Sequence, residues 1–181
     1  MDKAGLRQHI QENTRKISAA DKAKENTMIF DTRQKELLPG HTNRAVYISL
    51  LNEVDTKKII ETILSSGKKC LLPIQQEDNF FFTEITNKTQ YQKNKYGILE
   101  PINTQQAKQK PDVILVPGLA FTKQWTRLWR WLWRYDKLLS QYPDIIKIGL
   151  CFESQIIPNI PTQAHDQDMD IILSTQLYFR S

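Results

Sequence analysis

Short apolar runs of strand-type composition, separated by stretches of helical pattern, constrain this chain more than any other feature. They lie at residues 44–51 (RAVYISLL), 69–74, 80–85, 113–116, 145–152 and 169–174. Each is too short for a buried helix, and most are rich in β-branched or aromatic residues, so each reads as a strand. Between and before them, Leu6, Ile10 and Ile17, then Met28 and Ile29, are spaced for amphipathic helices. Ser18-Ala19-Ala20-Asp21 has the form of a capping box with Asp in place of Glu, which predicts a second helix starting there and ended by Pro39-Gly40. Asp55 is placed to cap a helix over 56–66, with Gly67 at its stop. Strands alternating with helices predict one α/β domain over residues 1–181, with a mostly parallel sheet. Ligands of such sheets bind beyond the carboxyl ends of strands. That directs attention to residues 51–55, 117–136 and 153–166.

Composition narrows the classes. With 40% hydrophobic and 25% charged residues the chain reads as globular. No apolar run approaches the ~18 residues of a membrane span. The opening Met1-Asp2-Lys3-Ala4-Gly5 lacks the apolar core of a signal peptide, so a soluble cytoplasmic protein is expected. Cys70 and Cys151 each sit in an apolar run and read as buried thiols, and no Cys/His spacing suits a metal. Phe80-Phe81-Phe82 reads as strand core. Ser154 with His165 and Asp166 has the residue types of a hydrolytic triad, but no nucleophile elbow surrounds the serine. The net charge of +5 suits an anionic ligand or a nucleic acid. Much of it sits at residues 123–137, where Lys123, Arg127, Arg130, Arg134 and Lys137 face only Asp136.

Several separated motifs, in order along nearly the whole chain, carry a family likeness. They are Lys3-Ala4-Gly5-Leu6-Arg7; residues 47–56 (YISLLNEVDT); Tyr96-Gly97-Ile98-Leu99-Glu100-Pro101; residues 112–121 (DVILVPGLAF); and residues 149–161 (GLCFESQIIPNIP) followed by His165-Asp166. Together they resemble the 5-formyltetrahydrofolate cyclo-ligases, which form 5,10-methenyltetrahydrofolate using ATP and Mg²⁺. The resemblance implies a three-layer, Rossmann-like α/β fold with a mostly parallel sheet flanked by helices. It also implies a cytoplasmic monomer acting on a small folate, with no nucleic acid or membrane partner.

The resemblance further implies roles for named residues. Lys3, Arg7 and Arg127 would hold ATP phosphates, within a nucleotide segment of Leu128, Trp129, Arg130, Trp131, Leu132, Trp133, Arg134 and Tyr135. Arg127 and Tyr135 would be catalytic. Ile48, Glu53, Arg130 and Arg134 would contact the folate, and Asp136 and Asp166 would hold Mg²⁺. Read from the residues alone, Lys3 and Arg7 also fit a solvated helix face. Glu53 fits the favourable end of a helix dipole, and Asp136 fits a surface pair with Arg130 or Lys137.

One segment departs from the family. Where the family has the pattern D-x-x-G-x-R-L-G-x-G-x-G-Y-Y-D, this chain keeps Arg127, Leu128, Tyr135 and Asp136 in register. Trp125, Trp129, Trp131 and Trp133 stand at the glycine positions, and they are the chain's only tryptophans. Thr122 and Arg134 depart as well. Glycines in a phosphate loop supply positive φ and let backbone N–H groups approach the anion; tryptophan does neither. With the breakers gone, residues 125–139 read as a helix carrying Trp125, Leu128, Trp129, Leu132 and Leu139 on one face. A rearranged loop or a lost nucleotide site is expected. Two other functions follow from the same segment: an inactive homologue that keeps folate binding, or a basic, Trp-rich module that stacks on single-stranded bases or lies on an anionic membrane.

Overall fold

The computed structural model describes residues 2–37, 40–77, 79–94, 97–102, 104–129 and 134–179. In chain order the elements are α1 (Lys3–Lys16), α2 (Ala19–Leu37), β1 (Asn43–Ala45), α3 (Lys57–Ser65), β2 (Lys69–Gln76) and β3 (Asn79–Ile85). Then come β4 (Tyr91–Lys93), β5 (Leu99–Pro101), β6 (Val113–Val116), β7 (Ala120–Phe121) and β8 (Arg127–Leu128). The last are α4 (Arg134–Ser140), β9 (Ile146–Leu150), β10 (Ile171–Leu173) and β11 (Leu177–Phe179). Seven strands form one sheet in the order β11-β10-β9-β6-β1-β2-β3. Its interior pairs are parallel, and the two edge pairs, β2/β3 and β10/β11, are antiparallel. The expected three-layer, mostly parallel α/β architecture is therefore what forms.

Alternation along the strands sorts the core into two faces. Val113, Leu115, Ile148, Leu150, Cys70 and Leu72 point into one layer with Ile29 of α2 and Ile59 and Ile63 of α3. Ala45, Leu71, Ile114, Val116 and Ile172 point into the other with Leu138 and Leu139 of α4. Ile10 of α1 joins a third, smaller cluster with Leu119, Ala120 and Leu128. Strands buried on both sides read as continuous apolar runs, which is why they were visible in the sequence.

The local signals held in part. Ser18 Oγ accepts from the Asp21 backbone N–H at 3.0 Å and donates to its carboxylate at 2.7 Å, and α2 starts beside it. Asp55 Oδ1 accepts from the Lys57 N–H at 2.9 Å, and Gly67 follows α3 at φ 70°. The predicted strand over 44–51 is cut to Asn43–Ala45. The chain leaves the ladder because side chains satisfy its backbone instead. Thr56 Oγ1 donates to the Tyr47 carbonyl at 2.6 Å, and Glu53 accepts from the Leu50 N–H at 2.9 Å.

Both cysteines are fully buried and free, on opposite faces of the sheet. Burial pushes the Cys70 thiol up from 9.0 to about 12, against a smaller pull from Arg44. The folded state then holds this proton more tightly than the unfolded chain. The contribution is complete below about pH 9 and is lost as pH rises towards about 12. Denaturant unfolding across the alkaline range is expected to weaken less steeply in Cys70→Ala than in the parent. Equal slopes would overturn this.

Candidate active site

Beyond the carboxyl ends of β1 and β6 lies a cavity of about 510 Å³. Tyr47, Ile48, Leu50 and Glu53, all from the side-chain-braced loop after β1, form one wall. Leu72–Gln75 of β2 and Phe80 of β3 form the floor, and residues 98–101, around β5, a second wall. Pro117, Trp129, Tyr135 and Leu138 close the remaining side. The lining is mainly apolar, with two acids, Glu53 and Glu100, and no cation among the described residues. Burial is the main reason the Tyr47 and Tyr135 phenols are held well above their ordinary range, and the Glu53 charge adds to both. Arg127 pulls Tyr135 the other way but does not prevail. Both phenols therefore stay protonated at neutral pH. A mainly apolar pocket with a few convergent polar groups is the form of a small-molecule site.

Next to it lies a charged network. Arg127 of β8 donates through Nη2 to Asp136 Oδ1 of α4 at 2.6 Å, with the side chains 1% and 10% exposed. Asp136 Oδ1 also accepts from the Gln167 N–H at 3.2 Å. Asp166, the preceding residue, pairs with Lys3 of α1 at 2.5 Å. Arg7, one turn further along α1, donates to the Trp129 carbonyl at 2.7 Å. Trp129 connects the network to the cavity. Its ring lies 4.6 Å from the Arg127 guanidinium and 4.8 Å from the Tyr135 ring. Lys3, Arg7, Arg127, Asp136 and Asp166, distant in sequence, thus converge beside the cavity that holds Ile48, Glu53 and Tyr135. Leu128 is buried behind them. Arg130, Trp131, Leu132, Trp133 and the Arg134 side chain lie outside the described residues.

The described part of residues 125–139 is not one helix: α4 spans Arg134–Ser140, and Arg127 and Leu128 belong to the β7–β8 hairpin. Its loop is closed by Thr122 N–H to the Thr126 carbonyl and Trp125 N–H to the Thr122 carbonyl, each 3.0 Å. This is the three-residue hairpin, a type I turn followed by one left-handed residue. Trp125 is that residue, with φ 67°. Tertiary docking decides for the hairpin over helical periodicity. Phe121 is fully buried, and a Cβ on Gly118 or Gly149 would stand 2.6 or 2.5 Å from its ring. The Trp125 indole packs on the core, and the Trp129 indole lines the cavity; the Nε1 of each is buried without a hydrogen-bond partner. Left-handed φ disfavours any side chain by about 1–2 kcal/mol. Trp125→Gly and Trp125→Ala remove the same indole, so their difference reads the backbone alone. The glycine variant is expected to be the more stable by about 1 kcal/mol in denaturant unfolding; an alanine variant of equal stability would refute the assignment.

Mg²⁺ takes one or two carboxylates, completing its shell with water and phosphate. Asp136 and Asp166 fit that donor set, since each has one oxygen engaged by a cation of the chain and a second oxygen besides. Among the described residues no group of three or more His, Cys, Asp or Glu forms a self-sufficient metal site. Among the described residues, no helix is long and apolar enough to cross a membrane. Sequence reasoning gave no site role of its own to the Tyr47 side chain, which stands in a segment connected with folate binding, and none to Phe80 or the wall at 98–101; all line the cavity. Tyr47 stood in a motif and Ile98–Pro101 in another, but apolar lining residues look like core until a cavity is seen beside them. Phe80, read as strand core, is only half-buried and borders the cavity, while Phe82 is core.

Comparison with known proteins identifies the family and the fold. The family model described as the 5-formyltetrahydrofolate cyclo-ligase family matches residues 1–175. The mouse (Mus musculus) 5-formyltetrahydrofolate cyclo-ligase is 26% identical over 187 residues, spanning 94% of this chain and 92% of that protein. The Haemophilus influenzae cyclo-ligase is 29% identical over 139 residues, spanning 72% and 74%. The fold is similar to that of the 5,10-methenyltetrahydrofolate synthetase of Aquifex aeolicus, with a TM-score of 0.87 at 22% identity over 99% of this chain and 93% of that one. The Mycoplasma pneumoniae synthetase gives 0.76 at 23% identity, over 97% and 100%.

Proposed function

Because the chain belongs to the 5-formyltetrahydrofolate cyclo-ligase family, we propose that it closes 5-formyltetrahydrofolate to 5,10-methenyltetrahydrofolate at the expense of ATP, with Mg²⁺. The observation that carries this reading is the apolar cavity abutting the Arg127–Asp136 and Lys3–Asp166 network. One half suits a flat, hydrogen-bonding heterocycle, the other a chain of phosphates.

The formyl oxygen attacks the γ-phosphorus and ADP leaves, giving an iminium phosphate. The N10 lone pair then attacks the formyl carbon. The N10 proton is lost, the C–O bond breaks and phosphate departs with the oxygen. Such a transfer asks chiefly for positioning and for cations where negative charge gathers. Lys3, Arg7 and Arg127 supply those cations, and Leu128, Trp129, Arg130, Trp131, Leu132, Trp133, Arg134 and Tyr135 make up the nucleotide segment. Asp136 and Asp166 would hold the metal, which would supply positive charge beside the phosphates. Ile48 and Glu53, with Arg130 and Arg134, receive the folate. Glu53, set in an apolar wall, orients the N–H groups of the heterocycle. The neutral Tyr135 phenol lines the cavity and feels the charges of both Glu53 and Arg127, which suits it to donate a hydrogen bond to the substrate.

The Trp129 ring over Arg127 stands against the phosphates. The chain with all four tryptophans is therefore expected to turn over poorly, and a quadruple Trp125→Gly, Trp129→Gly, Trp131→Gly, Trp133→Gly variant well. Formation of the methenyl product, followed by its absorbance with 5-formyltetrahydrofolate, ATP and Mg²⁺, tests both. If neither folded form reacts, the cyclo-ligase reading is lost.

A further inference from the structure

We infer that the chain made in its own cells carries glycine at positions 125, 129, 131 and 133, the codon translated here as tryptophan being decoded there as glycine. Four independent observations converge on it. All four tryptophans of a 181-residue chain fall within nine consecutive positions, and nowhere else. Position 125 is the left-handed residue of a three-residue hairpin, where glycine is the residue most at ease. The indole N–H groups at 125 and 129 are buried with no acceptor, although buried indoles ordinarily find one. Six glycines in 181 residues is about half the usual ~7%, and the exchange leaves ten glycines and no tryptophan.

Separate substitutions at four sites would leave different residues, because neither the hairpin at 125 nor the Arg127 contact at 129 calls for an indole. A single decoding rule changes every site alike and changes no other residue type. It also explains why Arg127, Leu128, Tyr135 and Asp136 keep their places around the four positions. The consequence for the site is direct. Without its ring, position 129 uncovers the Arg127 guanidinium on the side facing Tyr135 and the cavity. Small residues between β8 and α4 let an anion reach backbone N–H groups. In this functional consequence, though not in its evidence, the inference rests on the cyclo-ligase reading.

The test is the covalent structure of the protein isolated from its own cells. A lysine-specific protease cuts after Lys123 and Lys137 and releases residues 124–137 as one peptide. Tandem mass spectrometry is expected to read glycine at all four positions, and the intact protein to show tyrosine but no tryptophan fluorescence. Tryptophan at any of the four positions overturns the inference. Turnover separates it from the functional reading. Glycine in the native peptide with no methenyl product from the native protein leaves the decoding standing and sinks the cyclo-ligase assignment. Tryptophan in the native peptide with full turnover does the reverse.

Discussion

Asp136→Ala is expected to destabilise the fold by about 3–5 kcal/mol, the loss that follows when one partner of a buried ion pair is removed. The Arg127 side chain is 1% exposed and its Nη2 donates to Asp136 at 2.6 Å. Its other recorded partner, the Pro117 carbonyl at 3.4 Å, is a weak acceptor for a whole guanidinium. The charge would be left in an apolar setting between Leu128, Trp129 and Tyr135. A domain of this size has only ~5–15 kcal/mol in total, so the variant should approach the limit of folding. Asp136→Asn keeps the shape and an acceptor oxygen, and should lose far less. The double variant Arg127→Met, Asp136→Leu removes both charges and is expected to recover most of the loss. Denaturant midpoints for the three variants check this. A well-folded Asp136→Ala protein of parental stability would show that the pair is not buried as described. Asp136→Asn also separates structure from metal chemistry. A folded protein whose turnover needs far more Mg²⁺ would place Asp136 at the ion.

Arg127→Lys in the quadruple glycine variant is expected to lower kcat by about 10³-fold or more, the scale of an arginine that stabilises a transferring phosphoryl group. Lysine keeps the charge, so Asp136 is not orphaned and the fold should survive. It lacks the planar fork that can meet a carboxylate and a phosphate oxygen together. Folate binding, measured without nucleotide, should change little, because Arg127 is not among the residues that line the cavity. Loss of kcat with folate affinity retained supports a role at the phosphates. Equal loss of both would mean that Arg127 merely shapes the cavity wall through Trp129 and Tyr135.

The arrangement of charges has a common logic. Two of the three cations proposed for the phosphates, Lys3 and Arg127, are paired with a carboxylate proposed for the metal. Arg7 is held by the Trp129 carbonyl. Each cation is thereby held in place before any nucleotide arrives, which is the preorganisation that makes electrostatic stabilisation effective. α1 contributes through its own packing. Ile10 and Leu6 seat it against Leu119, Ala120, Leu128 and Ile160, so its Lys3 end stands over the turn that carries Asp166.

The sequence by itself determined the sheet and pointed to its carboxyl end, where the cavity lies. Residues 69–74, 113–116 and 145–152 show as apolar runs because parallel strands are covered on both faces, and the same covering leaves the carboxyl ends as the place for a ligand. Motif order identified Lys3, Arg7, Glu53, Arg127 and Asp136 as charged positions worth watching. Local pattern was insufficient elsewhere. Residues 44–51 look like one strand, yet the backbone after Val46 is satisfied by the Thr56 and Glu53 side chains, partners that only the packed loop supplies. Residues 125–139 have a helical apolar period, yet the first part is hairpin. Phe121 locks against Gly118 and Gly149, and that contact depends on strands far apart in the chain. The cavity itself was invisible, because apolar lining and apolar core have the same composition. Which charges meet was decided by tertiary structure alone. Lys3 and Asp166 are 163 residues apart, and no local propensity can express a pairing over that distance.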